Sequence, residues 1–265
     1  LRNVIMSLKS KANIVRRKLM HSLTHNIGKK SVGDMQKKAH NFKVNRVLIS
    51  RPNHRLGNML LITPLVQEIA NTFPNCTIDL FVKGKITPII FQNYPQVKSI
   101  IELPKKPLKD FSEYLKVWFS LKRTKYDLVI NVEKGSSSGR ISTIIPSADF
   151  KFYGDDFEEL KDKYNDIEHI AKYPVYNFRR FLEVLNQQPL TGDVPVLDLK
   201  LSTTELNQGK QDLLKVTKND TRKTIAFFTF ATGAKCYSIE WWNDFYKKFY
   251  PKYSEEYNLI EILPV

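Results

Sequence analysis

The sequence predicts an α/β protein built on a doubly wound, mostly parallel sheet. Three observations lead there. Short β-branched runs alternate with amphipathic ones, the first strand is apolar on both faces, and the polar loop after it opens directly into a helix. Val47, Leu48 and Ile49 form that first run, which suits a strand buried between two layers. The loop SRPNHRLGN follows. After Gly57-Asn58 the apolar residues Leu61, Ile62, Leu65, Val66 and Ile69 recur at helical spacing, placing Asn58 near the first turn of a helix. The polar residues thus sit where a strand ends and a helix begins, the crevice in which open α/β sheets bind ligands.

The alternation continues along the chain. A strand is expected at Thr77 to Val82, a short helix near Pro88 to Asn93 and a strand at Val97 to Leu103, before Pro104 and Pro107 break the chain. A helix over Phe111 to Arg123 and a strand over Asp127 to Val132 come next. EKGSSSG reads as a loop, Arg140 to Ile145 as a short helix, ADFKFYG as a strand and Tyr176 to Asn186 as a longer helix. The prolines and glycine of QQPLTGDVPVLDLKLS read as a linker. Beyond it lie a helix near Thr204 to Lys215, a strand at Thr224 to Phe230, an amphipathic helix from Glu240 to Phe249 and the start of a strand at Leu259 to Leu263. A closing β-α-β of about 45 residues cannot cover its own sheet faces. With a first residue that is not Met, the expectation is a fragment of a longer protein, or one truncated in its second domain.

A length of 265 residues with 42% hydrophobic content argues for a globular chain with room for a core. Cys76 and Cys236 match no metal spacing and fit a reduced, cytoplasmic setting. No apolar run is long enough to span a bilayer. The net charge of +15 is concentrated at the start, where residues 1–43 carry eleven Lys or Arg against the single acid Asp34. Leu1, Val4, Ile5, Leu8, Ala12, Val15 and Leu19 share one face of a helix there, flanked by basic residues. This basic amphipathic leader suits an anionic membrane surface; a solvated arm, or a helix packed on its own domain, is the plainer reading. Nucleic-acid binding is disfavoured, because the excess sits in the leader and no recognition motif accompanies it.

With these residues placed, RVLISRPNHRLGNMLLITPLVQEIANTFPN resembles the opening of glycosyltransferase family 9, the heptosyltransferase-like enzymes of lipopolysaccharide core assembly. The family's [LIM]-G-D-x-[LIV]-x-x-[TS]-P helix start is matched by Leu56-Gly57-Asn58-Met59-Leu60-Leu61-Ile62-Thr63-Pro64. Its later K-x-W-P-x-E-x-[WF] motif is carried as Lys235, Tyr237, Ser238, Glu240 and Trp242. The resemblance implies a GT-B fold: an N-terminal Rossmann-like domain for the acceptor (44–185), a linker and helix (186–220), and the start of a second, incomplete Rossmann-like domain for the nucleotide sugar (221–265). Two departures stand out. The family's aspartate after the glycine, a general base, is Asn58 here, and the late D-[ST]-G-x-x-H donor motif does not occur before the chain ends.

The candidate catalytic residues are Asn58, His54 and Glu133. An amide cannot take a proton at neutral pH, so Asn58 can only orient a hydroxyl. His54, four residues earlier in the same loop, and Glu133, after its strand, are the candidates to accept the proton. Against this, Gly57-Asn58 can also be read as a tight turn and helix cap. Arg51, Arg55, Gly57, Lys83 and Lys134 fall at strand ends and suit an anionic acceptor, though surface cations are abundant in this chain. Thr232, Gly233 and Lys235 are positioned for donor phosphates, where a cation would stabilise the leaving diphosphate. Trp242, Phe245 and Phe249 have helical spacing and read as core.

The expectation is an inverting, metal-independent transferase. It would move a sugar such as heptose from a nucleotide diphosphate to a lipid-linked glycan, at the inner face of the cell membrane and with no cofactor beyond the co-substrate. The alternative is a degenerate, non-catalytic member that binds glycan or a partner.

Overall fold

The computed structural model describes residues 22, 32–105, 109–133, 136–154, 158–218, 221–230 and 236–263. The chain divides into two units after Lys200. The first unit is organised by five parallel strands: β1 (Arg46–Ser50), β2 (Thr77–Lys83), β3 (Val97–Leu103), β4 (Lys125–Asn131) and β5 (Ser147–Phe152). Their order across the sheet is β3-β2-β1-β4-β5. The chain therefore winds outward in one direction from β1 through β2 and β3, then returns to the other side of β1 for β4 and β5. That reversal is the topological switch point of a doubly wound sheet, and it opens a crevice beyond the carboxyl ends of β1 and β4.

The central strands are buried on both faces, as their continuous apolar runs predict. Val47, Leu48 and Ile49 have no exposed surface. Val47 and Ile49 join the larger core, under α1 (Val32–Lys38), α3 (Thr63–Thr72), α4 (Thr87–Phe91) and α8 (Tyr173–Val184). Leu48 joins the smaller one with Phe81, Leu121, Tyr126 and Val129, under α5 (Phe111–Arg123). Between α1 and α8 the remaining helices are α2 (Leu56–Leu60), α6 (Ser137–Ile144) and α7 (Glu159–Lys163).

Three buried charges knit this unit. Arg179 of α8 donates from Nε and Nη2 to the two oxygens of Glu68 on α3, at 2.6 and 2.9 Å, and from Nη1 to the carbonyl of Gly192 at 2.7 Å. Asp79, on the opposite layer, accepts from Arg46 Nη2 at 2.7 Å and from the Tyr126 hydroxyl at 3.0 Å. Burial and that neighbouring carboxylate push the Tyr126 phenol well up.

Among the differences from the sequence expectation, two concern the two ends of this unit. The basic stretch of residues 1–43 lies mostly outside the described residues, but its end is part of the first unit: Met35 and Ala39 are buried in the larger core and Phe42 packs against it. The presumed linker is a strap rather than a free tether. Its Val194 is buried, Gln67 donates to the carbonyl of Val196, and the Tyr94 hydroxyl donates to that of Asp198. Proline and glycine removed the helical period there without removing the packing.

The second unit holds α9 (Thr203–Val216), β6 (Lys223–Phe227), α10 (Ile239–Tyr253) and β7 (Tyr257–Glu261), with β6 and β7 parallel. Helix α9 opens with a reciprocal capping box between Ser202 and Glu205. β6 ends at Phe227, short of the expected Phe230, and α10 runs past Pro251, which falls in its last turn. Phe245 and Phe249 of α10 lie 5.8 and 5.2 Å from Phe227, centroid to centroid, so they serve as packing residues as their spacing predicts.

Candidate active site

The crevice at the switch point is built by the first residues after β1 and β4. Backbone bonds from Arg51 N to the Phe81 carbonyl and from Val132 N to the Ser50 carbonyl carry the sheet ladder just past both strand ends. The loop after Arg51 is then held locally. The Asn53 side chain accepts from Arg55 N at 3.0 Å, an Asx turn, and the Asn53 carbonyl accepts from Lys83 N at 3.2 Å. Helix α2 starts at Leu56, with Met59 N returning to the Arg55 carbonyl. Asn58 is therefore the third residue of a one-turn helix and is half-buried.

This arrangement alters the local reading of Gly57-Asn58. The residue at the cap position is Arg55, without a side-chain cap bond. A Cβ on Gly57 would meet nothing within 4 Å, so neither a turn nor packing demands glycine there. What glycine leaves is a bare stretch of backbone facing open space. Exposed Leu56 and Ile89 sit on α2 and α4, two helices that touch.

Across the crevice Arg51 Nη1 bonds Glu133 Oε2 at 2.5 Å. Arg51 is nearly buried while the Glu133 side chain is 53% exposed, so the pair presents a carboxylate outward on a guanidinium anchored in the protein. The residue two positions before Glu133 was missed by sequence reasoning. Asn131 is fully buried, and its Nδ2 donates to the carbonyls of Glu133 and Tyr153, both at 2.9 Å, fixing the chain as it leaves β4. Gly139 of α6 lies against this amide so closely that a Cβ would collide with Asn131 Oδ1. Helix α6 begins three residues earlier than expected, because the Ser136 side chain caps it by accepting from Gly139 N at 3.1 Å. A serine before a short helical run is a cap signal, and it was there to be found in EKGSSSG. Beneath, Ser50 Oγ lies 2.5 Å from Ser142 Oγ, whose hydroxyl donates to the Gly139 carbonyl.

Of the residues singled out from sequence, Arg51 and Glu133 are in direct contact. Asn58 and Gly57 lie on α2, and His54 and Arg55 are exposed in the loop leading to it. Lys83 is tied to that loop through its backbone. Beside it, Gly84 has φ +82°, a left-handed backbone that favours glycine, and lies under the Lys105 side chain. A cavity of about 770 Å³ adjoins, lined by Gly84, Lys85, Glu102, Lys105, Lys109 and Glu113. Lys134, Thr232, Gly233 and Lys235 lie outside the described residues. No helix of the described residues is long and apolar enough to cross a membrane.

Comparison with known proteins adds to this geometry. No protein-family model matches the chain. Lipopolysaccharide heptosyltransferase 3 of Escherichia coli is 29% identical over 82 residues, which are 29% of this chain and 23% of that protein. A glycosyl transferase family 9 structure from Veillonella parvula superposes with a TM-score of 0.55 at 15% identity, covering 82% of this chain and 62% of its own. The heptosyltransferase WaaC of E. coli superposes with a TM-score of 0.53 at 17% identity in its complex with ADP, covering 83% and 75%. With ADP-2-deoxy-2-fluoro heptose the score is 0.50 at 14% identity, covering 83% and 76%. The chain resembles glycosyltransferase family 9. The structural likenesses, at these identities, show its fold: α/β, of the GT-B type. The chain spans under two thirds of the family 9 structure's length, and its sequence match covers under a quarter of the curated heptosyltransferase.

Proposed function

We propose that this chain belongs to a glycosyltransferase that moves a heptose from a nucleotide diphosphate to a lipid-linked glycan, with inversion and without a metal. Its acceptor would sit in the switch-point crevice. What supports this reading is that the Leu56–Leu60 helix, with its open Gly57 backbone and half-buried Asn58, follows directly on the carboxyl end of β1, and that the Arg51–Glu133 pair joins the carboxyl ends of β1 and β4. The names of the similar proteins support heptose as the sugar and ADP as the nucleotide.

In this reading the residues divide the work as follows. The Asn58 carboxamide orients the acceptor hydroxyl but cannot deprotonate it. Glu133, bonded to the Arg51 guanidinium, anchors the site in this reading. His54, exposed four residues before Asn58, is then the proton acceptor. Arg55, Lys83 and Lys134 would meet acidic groups of the acceptor. Lys235, by its match to the later family motif, and Thr232 and Gly233, just before it in the sequence, would hold the donor diphosphate and stabilise it as it leaves. The basic part of the leader that precedes Met35 would hold the protein at the inner face of the membrane, where such an acceptor resides.

The test is transfer measured in the whole protein with an ADP-heptose donor. His54→Ala is expected to lower turnover by about a hundredfold or more with the fold intact, the usual range for removing a general base. Near-normal rates in that variant remove His54 from the mechanism. Wild-type protein that is inert and gains turnover on Asn58→Asp would mark a degenerate, glycan-binding member instead.

A further inference from the structure

Among the described residues, helix α5 carries an exposed surface that mixes apolar and basic side chains. Its inward side chains, Tyr114, Val117, Trp118 and Leu121, form the smaller core. Facing away are Phe111, Leu115 and Phe119, with exposures of 60%, 39% and 58%. At about 100° per residue these three fall with Lys116, Lys122 and Arg123 in one sector of about 140°, while Glu113, the helix's only acid, falls outside it. Among the described residues none of those three cations pairs with a carboxylate.

We propose that this face of α5 rests on an anionic lipid bilayer, with Phe111, Leu115 and Phe119 entering the headgroup boundary and Lys116, Lys122 and Arg123 meeting lipid phosphates. Charge decides the occupant. Apolar side chains interleaved with uncompensated cations match the apolar boundary and negative potential of such a surface. The apolar area, about 300 Å² for two partly covered Phe and a Leu, is well below what one partner contributes to a stable protein interface. Helix α5 also begins beside the cavity at the carboxyl ends of β2 and β3. Contact along it would bring that end of the sheet, where the crevice opens, toward membrane-borne molecules. The surface stands whether or not the protein transfers sugar, and it belongs to a different stretch of the sequence from the leader.

The experiment places an environment-sensitive fluorophore on α5 in the full chain. Leu115→Cys is labelled in a Cys236→Ser background, with Glu113→Cys as the control, and vesicles of phosphatidylcholine with about 30% phosphatidylglycerol are added. The expected result is a blue shift at position 115, absent at 113 and absent with pure phosphatidylcholine. Phe111→Ser combined with Phe119→Ser should lower vesicle partitioning roughly tenfold or more, with circular dichroism unchanged because both positions are exposed. Three outcomes overturn the proposal: a chain that binds vesicles while position 115 stays in water, which assigns binding to the leader; an equal shift on neutral vesicles; and a shift that grows with protein concentration without vesicles, which assigns the face to a second copy.

Discussion

The two units of this chain use the same alphabet of strands and helices with opposite results. In the first, β1, β2 and β4 lose all solvent exposure at most of their apolar positions, and two separate cores form. In the second, an equally apolar pair of strands and an aromatic-rich helix produce no buried residue among those described. Phe227, Phe245 and Phe249 touch one another, yet each keeps part of its surface in water. The difference is the number of layers. A strand is shielded only when neighbours flank it and helices cover both faces, and two strands with two helices cannot do this. Apolar patterning therefore specifies an element, while neighbouring elements decide whether it becomes core.

The sharpest way to break the contrast is to remove a charge from each unit. Glu68→Ala leaves the Arg179 guanidinium buried without its partner, and a loss of about 3–5 kcal/mol is expected in denaturant unfolding of the first unit. The exposed Asp212–Lys215 pair on α9 offers the comparison, and Asp212→Ala should leave the melting curve of the chain unmoved. Equal effects from the two substitutions would mean that the first unit is not held together by its interior.

A second pair of substitutions contrasts two glycines within the crevice. Gly139→Ala forces a methyl into the Asn131 amide and should cost about 1–3 kcal/mol, because the amide is fixed by two carbonyls and cannot retreat. Gly57→Ala meets open space in a helical segment, so stability should hold or rise by about 0.5–1 kcal/mol. If the acceptor approaches the backbone there, as the proposed function requires, the same Gly57→Ala lowers transfer. A variant both stable and fully active would show that nothing passes close to that position.

Much of this molecule was legible before any coordinates. The extents of β3 and α5 follow directly from Val97–Leu103 and Phe111–Arg123, because an apolar period and polar breaks at both ends define each one. The start of the crevice was legible for the same reason, since a strand, a polar loop and a helix appear consecutively between Arg46 and Thr72. What was hidden depends on distance along the chain. Arg51 and Glu133 were each chosen for lying at a strand end, but only the β1–β4 pairing brings them together. Asn131 carried no local signal, because a buried amide bridging two carbonyls looks, in sequence, like any polar residue closing a strand. The strap ending at Lys200 was hidden for a related reason, its bonds running to α3 and Tyr94 more than 100 residues earlier.

The finest probe of the contrast uses the two cysteines, one in each unit. Cys76 is buried and its thiol is pushed from an ordinary 9.0 up to about 11 by burial, whereas Cys236 is exposed. At pH 8, therefore, an alkylating reagent should modify Cys236 within minutes and reach Cys76 only as fast as the first unit opens. The same shift carries a pH dependence of known sign. Between about 9 and 11 the unfolded thiol has lost its proton while the folded one retains it, so unfolding releases a proton and stability falls as pH rises through that window. Tyr94, raised to about 12 by burial and by Asp198, extends the decline above its ordinary value near 10. Replacing Cys76 with Ala should flatten the lower part of that slope in melts taken from pH 8 to 11. An unchanged slope would mean that the region around Cys76 admits water, and that the first unit is less sealed than its contrast with the second requires.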